Sequence, residues 1–153
     1  MAIDVLLFGA NGMLGHMVEQ VLKSSDLNVL STSRDRSTHG NLRFDVETDD
    51  IRDLLNETKP RFVVNAIGII KPRIDESDAG SVRTAVRVNS LFPIDLANAA
   101  SAVEEHVIQI ATDCVYSGTG SFYDEAAPHD PTDVYGKTKS LGEVPAENVL
   151  HLR

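Results

Sequence analysis

The sequence predicts a doubly wound α/β domain built on a parallel sheet. Three observations carry that expectation: short apolar runs of strand length recur along the chain, segments with helical apolar spacing lie between them, and a glycine cluster follows the first run directly. A strand buried on both faces has no reason to alternate polar and apolar residues, so nearly continuous runs indicate a sheet covered from two sides.

The first strand is expected over residues 3–8, ended by Gly9, and is followed by a helix in which Leu14, Val18, Val21 and Leu22 recur at helical spacing until Ser24-Ser25-Asp26 stops it. Residues 28–33 return to strand character, and Leu42 to Phe44 forms a third short strand. A helix over residues 50–57 turns Ile51, Leu54 and Leu55 inward, and residues 61–66 make the fourth strand. The longest helical stretch runs from Ser81 to Ala100 with Pro93 inside it, so a kink or restart is expected near Leu91-Phe92. Residues 106–111 form the fifth strand. A turn-rich segment with Gly118, Gly120, Pro128 and Pro131 then leads to a helix near residues 132–143, and a sixth strand begins at Val149.

At 153 residues, 42% hydrophobic and 24% charged, the chain has the material for one globular core. A formal net charge of -9 argues against nucleic acid or an anionic membrane surface as partner, since both repel such a surface on average. The N-terminus has no basic segment ahead of a long apolar run, and no stretch reaches membrane-spanning length. Cys114 is the only cysteine, so no internal disulfide forms, which fits the reducing cytoplasm as the expected location. No residue is assigned to a metal.

Gly9-Ala10-Asn11-Gly12-Met13-Leu14-Gly15 is a GxxGxxG pattern set between the first strand and the first helix, the context in which the pattern binds a dinucleotide. The first glycine permits a tight turn, the second lets backbone approach a pyrophosphate at the helix N-terminus, and the third lets helix and strand pack closely. The second strand ends in Ser31-Thr32-Ser33-Arg34, where an NAD enzyme usually carries an acidic residue for the ribose 2'-hydroxyl. Arg34, with Ser33 or Arg36, suits a 2'-phosphate instead, so NADPH is the expected cofactor and NADH the alternative. Tyr135 and Lys139 stand four apart on one helical face. A free phenol, with a pKa of about 10, relays protons poorly at neutral pH, and a nearby ammonium stabilises its phenolate. Thr112, at the carboxyl end of the fifth strand, is placed to donate to a substrate oxygen, although a hydroxyl there also serves simply to cap the strand.

Together these residues resemble the extended short-chain dehydrogenase/reductase superfamily, with its Rossmann fold. The stretch from Ala111 to Glu143, with its Thr-Asp-x-Val-aromatic start, acidic middle, YGxxK and closing Gly-Glu, is similar to the corresponding part of the dTDP-4-dehydrorhamnose reductases and related sugar-nucleotide reductases. Cys114 and Ile69-Ile70-Lys71-Pro72 depart from that pattern. The resemblance implies Thr112, Tyr135 and Lys139 as a catalytic triad and the Gly9 to Gly15 loop as the phosphate cradle. It further implies Asp45 and Val46 beside the adenine, Asn65, Ala66, Ile67 and Gly68 along the cofactor, and Asn89 of the long helix at the same site. It implies NADPH-dependent reduction of a nucleotide-linked 4-keto-6-deoxy sugar, in dTDP-rhamnose and polysaccharide biosynthesis. A non-catalytic NAD(P)-binding regulatory subunit and a sugar-nucleotide epimerase or dehydratase are the alternatives. On this reading residues 1–153 form the NAD(P)-binding domain and the C-terminal substrate-binding region of the family is absent, so the chain alone is expected to be poorly active. A homodimer is left open.

Overall fold

A computed structural model describes residues 2–34, 42–120, 122–143 and 145–153. Six parallel strands, β1 (Val5–Phe8), β2 (Val29–Ser33), β3 (Leu42–Arg43), β4 (Phe62–Asn65), β5 (His106–Ile110) and β6 (Val149–Leu152), lie in the order β3-β2-β1-β4-β5-β6. The expected doubly wound α/β fold is therefore the observed one. The strand order reverses direction between β1 and β4, and the carboxyl ends of that pair are where an open α/β sheet leaves a crevice for a ligand.

Apolar residues on alternate faces of β1 explain the two layers. Leu6 and Phe8 point into the larger core with Phe44, Ile51, Leu55, Val63, Phe92 and Leu96, supplied partly by α2 (Ile51–Thr58) and α4 (Phe92–Ala102). Val5 and Leu7 point the other way, against Val18 and Leu22 of α1 (Met13–Lys23). Phe8 meets Phe44 and Phe92 edge-on, with ring centres 5.1 and 5.7 Å away.

Two details differ from the sequence expectation, and the expected break near Leu91-Phe92 takes a form that the sequence does not specify. The third strand ends at Arg43, because Phe44 turns inward to complete the aromatic trio. Of the four apolar residues expected to face inward from α1, Val18 and Leu22 pack on the sheet, while Leu14 and Val21 are exposed, since a single helix over β1 and β2 covers only one of its flanks. The long helix is not continuous: α3 (Ala79–Val86) widens into a π-type turn over Arg87–Leu91 before α4 begins. Pro93 lacks the N–H that the Asn89 carbonyl would accept in an α-helix, and its ring would crowd that carbonyl, so the widened turn resolves both problems. The freed carbonyl lies against Gly142, where any Cβ would collide with it.

Aspartates set three helix starts. Asp50 accepts from Arg52 N at 2.9 Å, Asp78 from Gly80 and Ser81, and Asp133 from Gly136 at the head of α5 (Val134–Leu141). The last strand is an edge strand whose Leu150 and Leu152 are exposed on the α1 side of the sheet. No helix among the described residues is long and apolar enough to cross a membrane.

At the amino end of the neighbouring strand, Glu105 precedes β5 at 6% exposure, and its Oε2 finds no donor among the described residues. Burial pushes its carboxyl up to about 7. Between its ordinary value and that one the folded chain holds more protons than the unfolded chain, so stability is full at acid pH and falls as pH rises to about 7. Glu105→Gln is expected to match the parent near pH 4.5 and to exceed it by about 1–3 kcal/mol at pH 8, where a charged carboxylate no longer has to be buried. Urea unfolding at the two pH values checks this; a constant difference between parent and variant refutes it.

Candidate active site

The glycine loop and the end of β4 meet at the crevice between β1 and β4. Gly9 has φ +84°, a left-handed conformation that side chains resist, and a Cβ there would come within 2.9 Å of the backbone of Ala66 and Ile67. Gly15 packs so closely on β1 that any Cβ would run into the Gly9 carbonyl. Gly12 is different: the nearest atom to an added Cβ is the Gly9 oxygen at 3.3 Å, and the residue is exposed. Asn11 is exposed beside it, and Met13 and Leu14 open the helix with their side chains outward, Met13 at 92% exposure.

Helices α2, α3 and α5 each start on an aspartate cap, whereas α1 begins at Gly12 with no side-chain cap, and its own first turn holds no acidic residue. Its first N–H groups therefore face the crevice with the positive end of the helix dipole and no carboxylate to answer them. A diphosphate supplies the acceptors that such an end needs.

Around this loop the other expected residues fall into two groups. Asn65 is buried, donates to Gln109 at 2.8 Å and accepts from Ile67 N at 3.0 Å, an Asx-type turn that bends Ala66, Ile67 and Gly68 across the crevice. Ser33 is buried at the end of β2, and Arg34 is exposed just beyond it with no hydrogen bond or ion pair to the described residues. Arg36 lies outside the described residues. Asp45 follows β3 and accepts from Glu47 N at 3.0 Å, while Val46 is buried in the core and its carbonyl accepts from Arg87 at 2.9 Å. Asn89 is also buried; its Oδ1 accepts from Ile69 N at 2.8 Å and its Nδ2 donates to Ile69 O and Thr138 Oγ1. Its amide thus ties the chain after β4 to α5.

Thr112 stands just past β5, and its Oγ1 accepts from Cys114 N at 3.2 Å, which leaves the hydroxyl proton available to donate. Lys139 is only 7% exposed, and its ammonium donates to the Ile110 carbonyl at 2.7 Å, so β5 fixes where that charge sits. Burial lowers the Lys139 pKa, against a smaller upward pull from Glu143. Tyr135 lies one turn earlier, partly buried, and its hydroxyl has no partner among the described residues. Gly136 lets α5 approach the Thr112 turn, for a Cβ there would strike the Cys114 carbonyl.

Beyond Thr112 a cleft of about 680 Å³ opens at the carboxyl ends of β5 and β6, lined by Asp113, Cys114, Tyr116, Asp124 and Arg153 among others. Tyr116 stacks on Tyr123 with ring centres 4.5 Å apart, and the Arg153 guanidinium lies 5.5 Å over Tyr116 while pairing with Glu143. Sequence reading passed over Asp133, although an Asp before a helix is a recognisable cap, over Arg153, and over Lys71 and Glu76, whose partners lie far along the chain.

A family model described as RmlD substrate binding domain matches residues 3–151. Among curated relatives, a methionine adenosyltransferase 2 subunit beta from Xenopus tropicalis is 31% identical over 150 residues, covering 95% of this chain and 42% of that protein. A dTDP-4-dehydrorhamnose reductase from Streptomyces griseus is 33% identical over 146 residues, covering 95% of this chain and 45% of that protein. Among solved structures, a dTDP-4-dehydrorhamnose reductase from Clostridium acetobutylicum superposes with a TM-score of 0.80 at 28% identity, over 97% of this chain and 52% of that one. MoeE5 in complex with UDP-glucose and NAD gives a TM-score of 0.77 at 25% identity, over 92% of this chain and 46% of that one. The chain spans less than half the length of these two curated relatives.

Proposed function

Since the chain belongs to the RmlD substrate binding domain family, we propose that it binds NADPH and serves an oxidoreductase that reduces the C4 ketone of a nucleotide-linked 4-keto-6-deoxy sugar. The observation that carries this reading is the uncapped N-terminus of α1, held by Gly9 and Gly15 at the switch point of the sheet. The residues present fit the cofactor. The first turn of α1 receives the diphosphate, Arg34 takes the 2'-phosphate at the end of β2, Asp45 and Val46 adjoin the adenine, and the backbone over residues 65–68, held by Asn65, follows the cofactor across the crevice, with Asn89 anchoring the next residue.

When bound, the reduced nicotinamide supplies the hydride. The chain's own residues manage the proton and the developing charge. Thr112 donates its hydroxyl hydrogen to the ketone oxygen, Tyr135 gives that oxygen its proton as the hydride arrives, and the Lys139 ammonium stabilises the tyrosinate left behind. The cleft beyond Thr112 would seat the sugar.

Calorimetric titration of the chain with NADPH and NADH tests the cofactor assignment. NADPH is expected to bind tighter, and Arg34→Ala to weaken NADPH about tenfold, the loss of one charge-assisted contact, while leaving NADH unchanged. NADH binding as tight as NADPH overturns the 2'-phosphate assignment, and binding of neither overturns the cofactor reading altogether. Turnover of a dTDP-4-keto-6-deoxy sugar by a polypeptide that contains this chain tests the reaction.

The likeness to a methionine adenosyltransferase subunit favours a second reading, a non-catalytic NAD(P)-binding subunit. Tight cofactor binding without turnover in the longer polypeptide would select it.

A further inference from the structure

The loop that follows β4 does more than run past the crevice. It leaves Gly68 with Ile69 clasped at both backbone polar groups by Asn89, at 2.8 and 2.9 Å, makes a single 3₁₀ turn over Lys71–Arg73, and ends at Asp78, the cap of α3. Both ends are thus fixed. Between them the segment reaches across to the head of α5 at two places. The Lys71 ammonium pairs with Asp133 Oδ2 at 2.7 Å, and Glu76 Oε1 accepts from the Val134 N–H at 2.9 Å.

An α-helix leaves its first N–H groups without partners, and each must be answered from outside the helix. At α5 the work is divided. Asp133 answers Gly136 at 2.7 Å from within its own segment, while Val134 is answered by Glu76, which is 58 positions away in sequence. Lys71 neutralises the cap aspartate that would otherwise face Glu76 at the same helix end, and that ion pair holds the Asp133 carboxyl below the usual range, second to its bond with Gly136. Tyr135 sits between Val134 and Gly136, the two N–H groups so held. We propose that Lys71 and Glu76 are positioning residues: they latch the loop over residues 69–78 onto the first turn of α5 and thereby fix where the Tyr135 hydroxyl stands relative to the crevice.

The proposal rests on the reading of Tyr135 as the proton donor, but its geometry can be tested without turnover. The chain has three tyrosines, at 116, 123 and 135, so ring-labelled tyrosine gives three signals, and Tyr135→Phe assigns one of them. In Glu76→Ala and in Lys71→Met the Tyr135 signal is expected to shift and broaden while those of Tyr116 and Tyr123 stay in place. Glu76→Gln keeps a carbonyl acceptor for Val134 and should restore the parent signal. An unchanged Tyr135 signal in both Lys71→Met and Glu76→Ala overturns the latch. So does a change spread equally over all three tyrosines that Glu76→Gln does not reverse, which would mark a general structural role. NADPH titration of the parent reports separately: if the parent fails to bind NADPH the proposed function falls, while a selective Tyr135 shift still stands as evidence for the latch.

Discussion

Gly15→Val is expected to destabilise the chain by about 2–4 kcal/mol and to remove measurable NADPH binding. The Cβ position at residue 15 falls on the Gly9 carbonyl and comes within 3.2 Å of the Ala10 Cα, so both obstacles are backbone and neither can rotate away. Either α1 lifts off β1, losing Val18 and Leu22 from the smaller core, or Gly9 moves and gives up its close approach to Ala66 and Ile67. Both routes dismantle the helix N-terminus on which the anion site depends. Gly12→Ala separates the two effects. With φ −74° and only the Gly9 oxygen 3.3 Å from the added carbon, the fold tolerates the methyl group with a loss of about 0.5 kcal/mol or less. The methyl stands in the open approach to the first turn, so NADPH affinity should fall at least tenfold. Urea unfolding read beside calorimetric titration tells the two variants apart; equal losses of stability would refute the distinction.

That contrast shows what the sequence could and could not express. Three glycines at fixed spacing after an apolar strand were enough to place the loop, because the turn and the close packing admit no other residue at Gly9 and Gly15. Strands β1, β4 and β5 were equally legible, since burial on both faces leaves little room for polar residues. The break in the long helix was legible from Pro93, but its form was not: a widened turn depends on where the Asn89 carbonyl can go, and that is decided by Gly142, just past the end of α5. Leu14 and Val21 show the limit of periodicity, which reports that a helix has an apolar flank and not whether anything covers it.

Within the candidate site the same division holds. Tyr135 and Lys139 declare themselves by spacing, and the structure adds that Lys139 is buried and tied to Ile110. Asn89, expected along the cofactor from resemblance alone, has its side chain engaged with Ile69 and Thr138, and it therefore acts on a cofactor through the chain it holds. Lys71 and Glu76 gave no sequence signal, because an ion pair and a cap bridging some sixty positions leave no local pattern.

Tyr135→Phe, in a polypeptide that contains this chain and turns over, is expected to lower kcat by about 10²–10⁴, the usual worth of a positioned general acid. The hydroxyl has no partner among the described residues, so its removal should leave both the unfolding midpoint and the NADPH dissociation constant as they were. A variant that loses binding along with turnover would place Tyr135 in cofactor contact instead. Lys139→Met should lower kcat comparably but carries a second signature. Burial holds the lysine pKa down, so between that lowered value and the ordinary one the unfolded chain holds more protons than the folded chain, and stability rises with pH. Methionine fills similar space without a charge and abolishes that rise, while the Ile110 carbonyl loses its donor. Unfolding measured from pH 7 to pH 10.5 should therefore climb for the parent relative to Lys139→Met. Parallel curves would mean that the ammonium is not held in a low-dielectric site, and the electrostatic support assigned to it for Tyr135 would then have no physical basis.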